Sequence, residues 1–255
     1  FKVFKKNVKI IYISHSIESD IRKKYSNKFI YFLTKVLEKL VFKYSHISTS
    51  VSLKEKNKIN LLYGVKTILL PNGIHLNKIN KKNKLNEDYI IYTGSYLYKP
   101  NKDAIDFLND FVMPNLLKKY PNFKLVLTGG GFNKKYPWII NKEIIPRNEL
   151  HNLLLQSKCL CVPLKFGSGT RIKILEALSL GAIVISSQKG IEGIKIKSLH
   201  PPFIFKSKND LIRKINYIIK NNILIKKKAI RNKDYYQKNY SMKNIIKKFL
   251  YENRI

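Results

Sequence analysis

PLKFGSGTRIKILEALSLG, residues 163–181, decides how this chain is read. An apolar lead-in ends in a glycine-rich turn, and the turn runs straight into an amphipathic segment carrying one glutamate. Gly167 and Gly169 lack a Cβ, so the backbone there can turn tightly and approach a ligand closely. The hydroxyls of Ser168 and Thr170 suit the cap of the helix that follows. The free N–H groups of a first helical turn face an anion, and Arg171 and Lys173 add positive charge at the same place. Glu176, further along the helix, offers a carboxylate suited to a ribose diol. A diphosphate and a ribose together describe a nucleotide.

Working outward, the same alternation of short apolar runs and amphipathic segments extends in both directions. On the amino side the pattern predicts a strand at 89–93, a helix at 101–119, a strand at 123–128, a short strand near 140–145, a helix at 147–156 and a strand at 159–163. The helix at 170–180 is followed by strands at 182–187 and 203–205, a helix at 209–221 and a lysine-rich helical run ending in YSMKNIIKKFLYENRI, 240–255. Such alternation predicts a parallel sheet with helices on both faces. Ligands in open α/β sheets sit at the carboxyl ends of strands. Gly94, Ser95 and Lys99, after strand 89–93, are therefore a second candidate phosphate contact, and Gly129, Gly130 and Gly131, after strand 123–128, a candidate nucleotide loop. Arg147 and Glu149 read as a helix start rather than as ligand contacts.

Upstream, KIIYIS (9–14) reads as a strand and FIYFLTKVLEKLVFKY (29–44) as a helix whose Phe29, Leu33, Val36, Leu37, Leu40 and Val41 form a core-facing stripe. A strand at 46–50, a helix at 52–64 ending at Gly64 and a strand at 65–71 closed by Pro71 complete a β-α-β-α-β order. Residues 75–88, polar and without periodicity, read as a linker.

With 255 residues, 44% hydrophobic and 12% aromatic, the chain has ample material for a packed core. Its formal charge of +34, from 50 basic against 16 acidic residues, raises nucleic acid or an anionic membrane as a partner. The abundance of Lys, Ile, Asn, Tyr and Phe, the residues of A/T-rich codons, explains the excess as compositional drift, and no zinc finger, RRM signature or basic-zipper heptad is present. No specific nucleic acid is expected. Cys159 and Cys161 fall on one face of a single strand, the wrong geometry for a disulfide, which fits a reduced, cytoplasmic setting. No run reaches the roughly 18 apolar residues of a membrane span, and no signal peptide is evident.

The GSGTR.K.LEA...G run at 167–181 resembles the nucleotide-sugar site of family 4 glycosyltransferases with the GT-B fold. PNG (71–73) resembles the link between the two Rossmann-like domains of that fold. YIIYTGSYLYKPNKDAIDFL (89–108) and KLVLTGGG (124–131) resemble the opening of the second domain. HSIES (15–19) and TSVSLKEKNKINLLYGV (49–65) resemble parts of the first. In that family the first domain opens with about a hundred residues, on the usual domain size, that have no counterpart before Phe1. A glutamate commonly stands eight positions before Glu176 in that family; here the position is Ser168.

The resemblance implies an α/β, GT-B type fold of two Rossmann-like domains with parallel sheets, the first incomplete. A partial acceptor-side domain would span 1–74, a linker 75–88, a nucleotide-sugar domain 89–238 and a helix packing back on the first domain 239–255. It implies a retaining, metal-independent transfer of a sugar from a nucleoside-diphosphate sugar to a hydroxyl, in cell-surface polysaccharide, lipopolysaccharide or glycolipid synthesis. His15 and Glu18 would be catalytic. Gly94, Ser95, Lys99, Gly167, Ser168, Gly169, Thr170, Arg171 and Lys173 would bind the donor diphosphate, and Glu176 the ribose. No metal and no cofactor beyond the nucleotide-sugar substrate is implied. The acceptor would be a saccharide or lipid-linked, and the protein would be cytoplasmic, with an anionic membrane surface as a further partner. Two other readings stay open: a non-catalytic nucleotide-sugar-binding remnant, and a basic nucleic-acid-binding protein.

Overall fold

The computed structural model describes residues 8–75, 85–167, 170–196 and 202–253. These divide into two compact units. The smaller comprises the chain up to Gly73 with the segment from Met242 onward, and also takes in Gly167 and Thr170; the larger comprises Ile74–Phe166 and Arg171–Ser241. Of the linker expected at 75–88, the stretch 76–84 lies outside the described residues.

In the larger unit, six strands lie parallel in the order β6-β5-β4-β7-β8-β9: β4 (Tyr89–Thr93), β5 (Lys124–Thr128), β6 (Ile139–Asn141), β7 (Cys159–Val162), β8 (Val184–Ser187) and β9 (Phe203–Phe205). The helices are α4 (Lys99–Phe107), α5 (Met113–Leu117), α6 (Arg147–Gln156), α7 (Ile172–Leu180), α8 (Lys208–Lys220) and α9 (Asn222–Tyr240). Because crossover helices cover both faces, central strands are apolar throughout rather than alternating. All four residues of β7 are fully buried, including the two free cysteines, and Tyr89, Ile90, Ile91 and Tyr92 of β4 are at most 2% exposed. The helix expected at 101–119 is interrupted by a π-helical turn, Leu108–Val112, in which Met113 N–H donates to Leu108 O. Pro114 explains it: proline has no N–H and its ring clashes with an α-helical carbonyl one turn back, and a wider turn relieves both.

The smaller unit holds a three-stranded parallel sheet, β1-β2-β3 (Ile11–Tyr12, Ile47–Ser50, Ile68–Leu69), with α1 (Glu18–Tyr25), α2 (Lys28–Tyr44), α3 (Leu53–Tyr63) and α10 (Met242–Asn253). Gly64 closes α3 in the left-handed region at φ 68°, as its position after the apolar run predicts. The stripe on α2 is a correction. Phe29, Leu33, Val36, Leu37, Leu40 and Val41 are 38–73% exposed, and the buried residues of α2 are Glu38 and Phe42. Phe42 stacks on Tyr63 and meets Tyr12 edge-on in a small core with Ile17 and Ile59. Glu38 accepts the N–H groups of Glu18 and Ser19 and the Tyr63 hydroxyl at 2.6, 3.1 and 2.7 Å, serving the N-terminus of α1, where Ile17 provides no side-chain cap. Periodicity identifies residues that share a face; which face is covered depends on neighbouring layers. Among the described residues, nothing lies over this one.

Candidate functional site

The loops that leave adjacent parallel strands at their carboxyl ends meet in the larger unit. Gly94, at φ 138°, follows β4, and its N–H donates to Thr128 O at 2.7 Å. A Cβ on Gly94 would sit 2.7 Å from both Asn101 Nδ2 and Lys173 Nζ and would push them aside, and the positive φ itself favours glycine here. Gly129, at φ 113°, backs onto Gly94, whose carbonyl carbon would lie 2.5 Å from any added Cβ. Gly130 and Gly131 face Ile144 and Leu97.

Lys173 donates to Tyr92 Oη at 3.2 Å and Asn101 Oδ1 at 3.1 Å, and its Nζ lies 4.2 Å from the Tyr92 ring centroid. Tyr92 Oη in turn donates to Asn101 Oδ1 at 2.8 Å. Among the described residues no carboxylate pairs with Lys173. Burial, reinforced by the charge of Arg171, brings its ammonium down to about 7. Burial also raises the Tyr92 phenol far above its ordinary value, against the pull of Arg171.

One turn along α7, Glu176 is 6% exposed. Its Oε1 accepts from Arg147 Nε at 2.7 Å and meets His151 Nε2 at 2.8 Å. Burial pushes the carboxyl up, and the hydrogen bonds from His151 and Arg147 outweigh it, leaving Glu176 below the usual carboxylate range. Arg147 opens α6 behind Pro146, as its sequence position predicts, and also reaches into this cluster. His151 is fully buried.

The remaining expected residues fall as follows. Arg171 is the N-cap of α7 with no side-chain cap, and among the described residues Thr170 Oγ1 is buried without a hydrogen-bond partner, so the expected capping by Thr170 is not made. A cap must take up the extended Ncap position, and that position belongs to Arg171. Gly167 has φ 121°, while Ser168 and Gly169 lie outside the described residues. Ser95 Oγ accepts from Leu97 N–H, and its carbonyl accepts from Asn101 Nδ2 at 2.9 Å. Lys99 pairs with Asp103 at 2.7 Å on the exposed side of α4. In the smaller unit His15 is exposed, with Nδ1 3.4 Å from Asn72 Oδ1, and Glu18 heads α1, paired with Arg22 at 3.1 Å.

Sequence reasoning missed Tyr92, Asn101 and His151. Arg147 and His151 stand four apart on one helix face, a spacing that was readable. Nothing local marked Tyr92, whose role comes from Lys173 reaching across 81 positions. Among the described residues no group of three or more His, Cys, Asp or Glu could hold a metal ion, and no helix is long and apolar enough to cross a membrane.

Residues 87–221, more than half of the chain, match the sequence pattern of glycosyl transferases group 1. No curated protein matches the chain in sequence. Similar solved structures include sucrose-phosphate synthase from Thermosynechococcus elongatus, with TM-score 0.73 and 14% identity over 96% of this chain and 67% of that one. A variant of S. aureus TarM in complex with fondaparinux, α-GlcNAc-glycerol and UDP gives TM-score 0.76 and 14% identity over 96% of this chain and 50% of its own. Anabaena Alr3699/HepE in complex with UDP and glucose gives 0.72 and 11% over 96% and 71%. The chain therefore spans half the length of TarM and about two thirds of the other two. The GT-B type α/β fold expected from the sequence holds, and the chain belongs to the group 1 glycosyl transferases.

Proposed function

We propose that the larger unit holds a nucleoside-diphosphate sugar and that the protein transfers the sugar to a hydroxyl acceptor with retention at the anomeric carbon. One observation carries the donor reading. Glu176, buried and ionised, and Lys173, an amine without a carboxylate partner among the described residues, stand three residues apart on α7, matching a ribose diol and a phosphate on one ligand. The neighbours solved with UDP support a nucleoside diphosphate as donor.

In this reading Arg171, Lys173 and the first turn of α7, with the backbone at Gly94, Ser95 and Gly167–Thr170, offset the charge that develops on the leaving diphosphate. That is the task a metal performs elsewhere. Lys99 would have to leave Asp103 to take part. His15 and Glu18 would serve the sugar and the acceptor hydroxyl. The acceptor would be a saccharide or a lipid-linked glycan of the cell surface, met on the cytoplasmic membrane face, where lysine-rich surfaces favour anionic lipid. The exposed stripe on α2 favours a second reading, donor binding without transfer, because the apolar face stands uncovered, among the described residues, in the unit that carries His15 and Glu18.

Calorimetric titration of UDP, GDP and ADP, each with and without its sugar, into wild type and Glu176→Ala tests the donor site. Tight binding of one nucleotide, lost in the variant, is the expected result. Failure of all of them to bind wild type would sink it.

A further inference from the structure

We propose that His151 is a positioning residue: together with Arg147 it fastens one oxygen of the Glu176 carboxylate, so that the other is presented, ionised and oriented, to the ribose hydroxyls. The inference rests on the nucleotide reading above and concerns how the chain tells a ribose from a deoxyribose. Both donors converge on the same atom, Oε1, at 2.7 and 2.8 Å, and among the described residues Oε2 has no hydrogen bond. A carboxylate oxygen has room for two donors, so Oε1 is saturated and Oε2 is the oxygen left to accept.

The two donors differ in kind. Arg147 lies at the surface, its side chain 42% exposed, whereas the His151 ring is wholly enclosed. Among the described residues, His151 Nδ1 is buried without a hydrogen-bond partner. A lone pair tolerates that position better than an N–H does, so the proton belongs on Nε2, pointing at Glu176. An enclosed ring with one donor and one target has a single orientation, and together with Arg147 it fixes the carboxylate plane, which neither hydrogen bond alone would do. Arg147 and His151 stand four positions apart on α6, so one helix face delivers both.

The test separates positioning from mere stability. UDP, GDP and ADP and their 2′-deoxy counterparts are titrated into the full chain, as wild type, His151→Leu, His151→Gln and Arg147→Met, with folding of each checked by circular dichroism. In wild type the loss of the 2′-hydroxyl should weaken the preferred nucleotide about tenfold, the scale of one charge-assisted hydrogen bond. His151→Leu should bring the ribo-to-deoxy ratio close to one. His151→Gln, whose amide N–H replaces Nε2–H, should restore most of the ratio. Should His151→Leu fail to fold, Arg147→Met, altered at an exposed position, is expected to shrink the ratio on its own. A folded His151→Leu that keeps the wild-type ratio, or an Arg147→Met that keeps it when His151→Leu is unfolded, overturns the proposal. Equal binding of ribo and deoxy forms by wild type overturns it too while leaving the nucleotide reading standing. Absence of any binding to wild type overturns that reading, and this inference with it.

Discussion

Lys173→Met should change how stability depends on pH. The wild-type ammonium falls from 10.5 in the unfolded chain to about 7 in the fold. Between those values the unfolded state carries a proton that the folded state has shed. The lysine's contribution to stability therefore rises with pH across this window, by about 1.4 kcal/mol per unit at most, and is level below pH 7 and above 10.5. Integrated from pH 7 to pH 9, the lysine contributes a rise of about 2 kcal/mol, which methionine, similar in length and uncharged, cannot supply. Urea unfolding of both proteins at pH 7 and pH 9, followed by the fluorescence of Trp138, measures the difference of differences. Wild type should gain about 2 kcal/mol relative to the variant on going to pH 9. A difference between the two proteins that is the same at both pH values refutes the placement of an uncompensated ammonium beside Tyr92 and Asn101. The same depressed ammonium predicts that a bound diphosphate draws a proton onto Lys173. Titrations above pH 7 in buffers of unequal ionisation enthalpy should then register proton uptake in wild type and none in Lys173→Met.

Two further outcomes concern the smaller unit. Glu38→Ala would leave two backbone N–H groups and the Tyr63 hydroxyl without their acceptor, and should cost about 3 kcal/mol, read as earlier proteolytic cleavage between α1 and α3; unchanged protease resistance would contradict the buried network. Replacing Phe29 and Phe32, 73% and 65% exposed, by serine should cost less than about 0.5 kcal/mol each and lower the binding of an apolar dye; a fall of many degrees in melting temperature would mean that another surface covers α2 in solution.

Much of the fold was legible because its signals are local. The fully apolar β7, Gly64 after the last turn of α3, and the regular exchange of strand and helix from Tyr89 onward each follow from steric or hydration rules acting within a few residues. The strand at 9–14 shortens to Ile11–Tyr12, because a strand persists only where a neighbour offers a ladder, and β1 has one on a single side among the described residues. The site was half legible. The cations and the glutamate of α7 announce themselves along one helix, whereas Tyr92, Asn101 and His151 join them only through the sheet.

What the sequence determined by itself is therefore the parallel α/β arrangement and the helix that carries Arg171, Lys173 and Glu176, since propensity, periodicity and capping all operate between residues close in the chain. Environment came with the packing of distant segments. Folding enclosed Lys173 against Tyr92 and Asn101, set Arg147 and His151 on one oxygen of Glu176, and left the α2 stripe in water while burying Glu38. Burial, charge and hydrogen-bond partnership are properties of what lies across a gap in space, and residues 19 to 81 positions apart meet there.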